Sequence, residues 1–236
     1  MDDRRSFYRN CRTIKFAKGE IIFLQNQVPK CVYSIISGVV EESNSTSSGD
    51  YRSISFEIVG DILPKCCAFS KTNTTLFIYT AYTDCEMYVI DKEVFKAQLA
   101  NDINFANKML SRSTSSLLGA RLKIDALEKP NATLRLLYMF RYLCLAYGKK
   151  STDGFIKIQV PLTQQRLADF AGFTRETATL LLHKMKTQKI ISSSEKYFYI
   201  NIAELNKKLD DEYDASLSVS MLPFAPENAA FQRNIM

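Results

Sequence analysis

Residues 163–191 read TQQRLADFAGFTRETATLLLHKMKTQKII, and two helical periods run through them on either side of Gly172. In the first, Leu167, Phe170 and Ala171 fall at i, i+3 and i+4 behind Thr163, whose hydroxyl can cap the helix. In the second, Thr174 is the natural N-cap, and Ala178, Leu181, Leu182 and Met185 form the apolar stripe. Gly172 stands where a tight turn needs positive φ, which leaves Phe173 to plug the angle between the helices. The spacing predicts a helix-turn-helix.

The second helix opens on polar chemistry, with Thr174, Arg175, Glu176, Thr177 and Thr179. A helix of this kind can enter a DNA major groove N-terminus first. There the Arg175 fork fits guanine O6 and N7, Glu176 accepts from a cytosine amino group, and Thr methyls touch thymine. The same residues also suit a solvated helix start, where capping and the helix dipole favour them. Charge separates the two readings. Residues 131–208 carry 13 Lys and Arg against 5 Asp and Glu, a net +8, which leaves −2 for the rest of a chain whose total is +6. A basic half attracts phosphate in a salt-dependent way. A membrane surface would attract it too, but no polybasic amphipathic run accompanies the charge.

At 236 residues, 46% hydrophobic and 24% charged, the chain can form two modest domains with cores. The start, MDDRRSFYRN, has no secretory h-region, and no apolar run reaches membrane-span length, so a cytoplasmic location is expected. Cys11, Cys31, Cys66, Cys67, Cys85 and Cys144 are scattered without a C-x-x-C pair, so no metal site, iron–sulfur cluster or secreted disulfide framework is expected. Cys66 and Cys67 are vicinal and open to a redox role; free cysteines otherwise behave as small hydrophobes. An enzyme is not expected, since there is no H-E-x-x-H, no G-x-S-x-G and one histidine, His183.

From Thr13 to about Ile90, short runs rich in β-branched and aromatic residues alternate with turn signals. They are Ile21–Leu24, Val32–Ile36, Ile54–Val59, Leu76–Tyr79 and Met87–Ile90, broken at Lys18-Gly19, Ser37-Gly38, Ser47-Ser48-Gly49-Asp50 and Gly60-Asp61. This predicts an antiparallel β-roll over residues 1–100. A short helix with Val94, Phe95, Gln98 and Leu99 follows, then a long one in which Ile103, Leu110, Leu117 and Ile124 recur every seven residues. Ala106, Ser113, Ala120 and Leu127 occupy the second seam. Such a heptad fits a parallel two-stranded coiled coil, hence a homodimer through residues 101–130; a long helix packed on its own β-roll is the alternative.

Pro130 stops that helix and Asn131 can cap the next, marking Glu128–Asn131 as a hinge. An apolar helical segment then runs from Leu134 to Leu145 and closes at Gly148. Strands are expected at Phe155–Val160 and, after a Ser192–Ser194 turn, at Tyr197–Ile200, with a short helix at Ala203–Leu209. Residues 131–209 thus make a winged helix-turn-helix, and 210–236 form a tail without sustained period. The fold class is α+β.

This order of elements resembles the Crp/Fnr family of bacterial transcription regulators over roughly residues 10–205. The likeness is most specific at Thr163, Gln165, Leu167, Gly172, Thr174, Arg175, Glu176 and Thr177, and weaker in the β-roll, at Lys18-Gly19-Glu20, Gly38 and Gly60-Asp61. It implies a dimer on double-stranded DNA, reading two inverted half-sites about 34 Å apart. Arg175 and Glu176 would then read bases, and Thr163, Gln165 and Thr174 would hold phosphates. The family often carries a further Arg where Leu180 stands, so Thr179 takes a larger share of the reading. His183 lies further along the same helix, beside a phosphate or in solvent. If the regulator activates, RNA polymerase is a further partner.

Cyclic-AMP-binding members carry Gly-Glu-Leu followed by Arg-Ser in the β-roll. Aligned on Gly60-Asp61, those positions hold Pro64, Lys65 and Cys66, then Thr75 and Leu76. The ribose acceptor and phosphate partner are therefore missing, and cAMP is not expected. With no histidine in the first domain and only Cys11 near the N-terminus, haem and iron–sulfur cofactors are not expected either. Lys65 among Cys66, Cys67, Phe69, Phe77 and Tyr79 suits an apolar or aromatic anion; equally, Lys65 could face solvent over an ordinary core. A redox switch at Cys66/Cys67 and a ligand-binding protein that never touches DNA are the competing readings.

Overall fold

The computed structural model describes residues 4–45, 51–151 and 154–210; the expected tail past Asp210 and the turn at 47–50 lie outside the described residues. Two compact units, 1–113 and 114 onward, divide within one long helix.

The first unit runs α1 (Arg4–Arg9), β1 (Arg12–Phe16), β2 (Ile21–Phe23), β3 (Cys31–Ser37), β4 (Val40–Ser45), β5 (Tyr51–Glu57), β6 (Ile62–Leu63), α2 (Lys65–Phe69), β7 (Ile78–Ala81), β8 (Cys85–Asp91), α3 (Lys92–Asn101) and the start of α4 (Ile103–Leu127). Its strands form two antiparallel sheets, β1-β8-β3-β6 and β2-β7-β4-β5. Side chains alternate across the first sheet, as a period of two requires. Ile35, Leu63 and Met87 face inward to meet Phe23, Val40 and Tyr79 of the second sheet. Val32, Ile62 and Ile90 face outward and are covered by Ala68, Phe95, Phe105 and Met109 of the helices.

The β-roll is therefore as read, with differences at its edges. Leu76-Phe77 precede β7 rather than joining it, because the Thr75 backbone is tied to the 24–27 loop through Asn26 and Gln27. Helix α1 gives no sequence signal because it is held by tertiary contacts: Phe7 lies 5.3 Å from the Phe105 ring and Tyr8 stacks on Tyr88 at 4.8 Å. Helix α2 is too short to show a period. In α3 only Phe95 of the expected apolar set is fully buried, while Val94 faces solvent.

The second unit continues with α5 (Ala132–Tyr147), β9 (Gly148–Lys150), β10 (Ile156–Ile158), α6 (Gln164–Ala171), α7 (Arg175–Thr187), β11 (Ile191–Ser194), β12 (Tyr197–Ile200) and α8 (Ile202–Asp210). Asn131 caps α5, its side chain accepting from the Leu134 N–H at 2.9 Å. Helix α5 is apolar nearly all round because it is buried nearly all round. Phe140 meets Phe198 of the wing and Tyr142 stacks on Phe170 of α6. The sheet order is β9-β10-β12-β11. Ser192–Ser194 are not a turn: they form β11, paired with Tyr197–Phe198–Tyr199 of β12. The turn sits at Glu195-Lys196, with Glu195 at φ 53°. Serines facing solvent on an edge strand read like loop residues.

Gly148 closes α5 because of close approach, not because of positive φ. A Cβ there would lie 2.1 Å from the Cys144 carbonyl oxygen and 2.5 Å from Ile156 Cγ2. Gly148→Ala is expected to lower stability by about 1–3 kcal/mol, as overpacking does; urea unfolding followed by circular dichroism measures it.

Candidate nucleic-acid interface and β-roll interior

The helix-turn-helix forms through its own caps. Thr163 Oγ1 accepts from the Arg166 N–H at 3.2 Å, and Thr174 Oγ1 from the Thr177 N–H at 3.3 Å. Gly172 is left-handed, at φ 69° and ψ 40°. Leu167, Phe170 and Ala171 of α6 and Ala178, Leu182 and Met185 of α7 are buried, with Leu181 partly so. Burying each large side chain contributes about 1.5–3 kcal/mol, so this core sets the angle at which α7 is presented.

What α7 presents is polar and open. Arg175, Glu176, Thr179, His183, Lys184 and Lys186 are all exposed, and so are Thr163, Gln165 and Thr174. Hydrogen bonds from its own N–H and from the Thr174 hydroxyl hold the Glu176 carboxyl below its usual range, so it stands as an acceptor. Gln165 donates to Asp169 at 2.7 Å. The Thr179 hydroxyl is engaged with the Arg175 carbonyl at 2.9 Å and with Gln164 Oε1 at 3.3 Å. That hydroxyl is turned back onto the protein, which leaves Thr179 its methyl for outward contact.

In the β-roll, Lys65 does not face open solvent. Its Nζ donates to Glu57 Oε2 at 2.5 Å, and Glu57 is 2% exposed. Tyr79, buried in the inter-sheet core with Phe77 packed against it, donates to Glu42 at 2.8 Å. Asp61 accepts from Arg112 of α4 at 3.2 Å, and the same guanidinium donates to the Val59 carbonyl at 3.0 Å. Gly60, at φ 84°, passes beneath it, where a Cβ would lie 3.0 Å from both terminal nitrogens. Cys66 and Cys67 hold their sulfurs 3.8 Å apart, Cys67 fully buried.

These groups shift one another. Burial is the largest influence on Glu57, and Asp61 and Glu42 add to it; against the pull of Lys65 they raise its carboxyl to about 8. Burial acts on Asp61 in the same direction, but Lys65 and Arg112 together hold it below its usual range. For Lys65, burial favours the neutral amine, yet Glu57 and Asp61 keep it above the ordinary lysine range. Burial also raises the Cys67 thiol to about 11.

Of the residues read from sequence as a β-roll pocket, Lys65, Cys66 and Tyr79 thus share one charged neighbourhood, Phe77 packs against the core that holds Tyr79, and Cys67 is fully buried in α2. Glu57, Glu42, Asp61 and Arg112 were not anticipated as its partners. A signal existed: Glu57 interrupts the run Ile54-Ser55-Phe56-Glu57-Ile58-Val59, and a carboxylate inside a buried strand needs a partner. By the resemblance, the positions of the Arg-Ser of cyclic-AMP-binding members are held by Thr75 and Leu76. Thr75 is fully buried, donating to the Leu24 carbonyl and accepting from the Gln27 N–H, whereas Leu76 is exposed.

Fold and site together define a transcription regulator with a DNA-binding helix-turn-helix domain and an effector-binding-type β-roll. The cyclic nucleotide-binding domain model matches residues 13–102, and the Crp-like helix-turn-helix domain model matches residues 135–207. The global nitrogen regulator of Synechococcus elongatus is 26% identical over 183 residues, 77% of this chain and 82% of the relative. The HTH-type transcriptional regulator ArcR of Staphylococcus epidermidis is 26% identical over 196 residues, 83% of this chain and 84% of the relative. The solved structure of FixK2 from Bradyrhizobium japonicum superposes with a TM-score of 0.67 at 18% identity, covering 83% of this chain and 96% of that one. The chain belongs to the Crp/Fnr family of transcription regulators. Its relatives are regulators rather than enzymes. Among the described residues no helix is long and apolar enough to cross a membrane.

Glu57 gives the β-roll a pH signature. Its folded value lies above the unfolded 4.5, so its contribution to stability is fully present below about 4.5 and is lost as pH rises through about 8. Asp61 is shifted down and acts only below this window; Lys65 is shifted up and acts only above it. Urea unfolding between pH 5 and 8.5 is therefore expected to show stability falling with pH, and Glu57→Gln to flatten that slope.

Proposed function

We propose that the chain acts in the cytoplasm as a homodimer that binds an inverted-repeat operator, with its β-roll as the regulatory domain. The observation that carries this reading is the outward face of α4. Ile103, Leu110, Leu117 and Ile124, one per heptad, are between 56% and 70% exposed. The face of α4 that meets the β-roll is a different one, made by Phe105, Met109 and Arg112. Four large apolar side chains at seven-residue spacing suit a second copy of the same helix. Two copies present two α7 helices, which fits half-sites about one turn of DNA apart.

Arg175 and Glu176 are the base readers in this proposal, with the Thr179 methyl beside them, and Thr163, Gln165 and Thr174 contact phosphates. Rotation at Asn131 sets the spacing of the two recognition helices, and an effector that favours one arrangement shifts the population toward it. Where transcription rises, the DNA-bound dimer also meets RNA polymerase. Leu117→Glu is expected to yield a folded monomer by sedimentation velocity and to weaken inverted-repeat binding by about 100-fold or more, as loss of linked half-sites does. Arg175→Ala, still dimeric, is expected to cost about 1–3 kcal/mol and to relax selectivity at one base pair per half-site.

The effector in this proposal is an aromatic acid, not a cyclic nucleotide. Its carboxylate takes the place of Glu57 at Lys65, with its ring toward Phe77 and Tyr79. Thr75, knitted into the 24–27 loop, offers no cationic partner for a cyclic phosphate. A thiol switch at Cys66/Cys67 is less well supported, because the Cys67 thiol is raised to about 11 and the thiolate is the reactive form. Thermal-shift screening is expected to show stabilisation by aromatic carboxylates, abolished by Lys65→Met, and none by cAMP. Stabilisation by cAMP alone would overturn the assignment.

A further inference from the structure

Leu180 is 73% exposed, more than any other large apolar side chain among the described residues. It lies one helical turn beyond Glu176 and points away from the buried stripe of Ala178, Leu182 and Met185. The rest of that exposed face is polar or charged: Arg175, Glu176, Thr179, His183 and Lys184. A lone exposed leucine on an ordinary surface signifies nothing. Here it stands in the N-terminal half of the recognition helix, in the half of the chain that carries the net charge of +8. Next to it, the Thr179 hydroxyl is already held by the Arg175 carbonyl and Gln164.

A leucine offers neither donor nor acceptor, so in a groove it gains only by excluding water from an apolar atom. In the major groove the edges of the four bases present one apolar substituent, the thymine C5-methyl. We propose that Leu180 is a specificity-determining residue of α7 that reads a thymine methyl in each half-site. The proposal rests on the DNA-binding reading above and specifies part of its target. Five residues separate Leu180 from Arg175, about 7.5 Å along the helix. At about 3.4 Å per base-pair step, the thymine lies within about two steps of the base pair that Arg175 reads.

The experiment starts from the operator selected out of a random duplex pool by the full-length protein. Each thymine of the half-site is replaced in turn by deoxyuridine, which removes the methyl and keeps the base pairing. One replacement, at the expected distance from the Arg175 position, should weaken wild-type binding about fourfold per half-site, the effect of one buried methyl-sized group. Leu180→Ala should bind the thymine operator more weakly and be indifferent to that replacement, while Leu180→Met should remain sensitive. Because Leu180 lies outside the core, unchanged thermal unfolding of both variants verifies that they fold. Equal wild-type affinity for every deoxyuridine operator, or full sensitivity retained in Leu180→Ala, would overturn the role of Leu180 and leave the regulator reading standing. Failure of the wild type to select any sequence, both without and with added aromatic carboxylates, would overturn both.

Discussion

Helix α4 carries two apolar faces, and a single chain covers only one of them. Phe105 and Met109 are buried with Val32, Ile62 and Ile90 on the outside of the first sheet, and further along Ala126 is fully buried. Ile103, Leu110, Leu117 and Ile124 are left in water. Exposing such a row is unfavourable for an isolated protein, since full burial of each side chain contributes about 1.5–3 kcal/mol. In the proposed homodimer this row is the seam between two copies of the helix. In that proposal the spacing of the two DNA-reading units follows from how the seam is closed.

The inward face of the same helix holds Arg112, whose guanidinium lies over Gly60 and binds both Asp61 and the Val59 carbonyl. Two residues of the β5–β6 turn thereby fix a point on α4. Asp61 also lies in the field of Lys65, which is itself paired with Glu57. A change in the proton of Glu57 thus acts on Lys65 and Asp61 directly, and on Arg112 through Asp61. Each link is an electrostatic contact inside low-dielectric surroundings, where such coupling is strongest.

How much of this was legible in the sequence follows from the range of the forces involved. Periodic burial leaves a local record, so the β-roll, the heptad of α4 and the two helices around Gly172 could be read directly. Caps are also local, and Thr163, Asn131 and Thr174 each accept the expected backbone N–H. Helix α1 could not be read, because Phe7 and Tyr8 find Phe105 and Tyr88 far along the chain. The charge cluster was half legible. Lys65 stood out by its position, but Glu57, Glu42 and Arg112 come from a different strand or helix, and only folding brings them together. The serines of β11 misled because an exposed edge strand and a turn favour the same polar residues.

The recognition helix shows the converse case, in which identity matters more than placement. Its fold requires only Ala178, Leu182 and Met185 on one face and Thr174 at its start. The outward positions are free of that requirement, so their chemistry records what they meet. Arg175 and Glu176 are charged and exposed, as the proposed base readers need to be. Leu180 breaks the pattern in the one direction that solvation does not favour. An apolar side chain persists at the centre of a polar face with little gain while it stays in water, and with a definite gain if that face is periodically covered. In the proposed DNA complex, what covers it is the base edge.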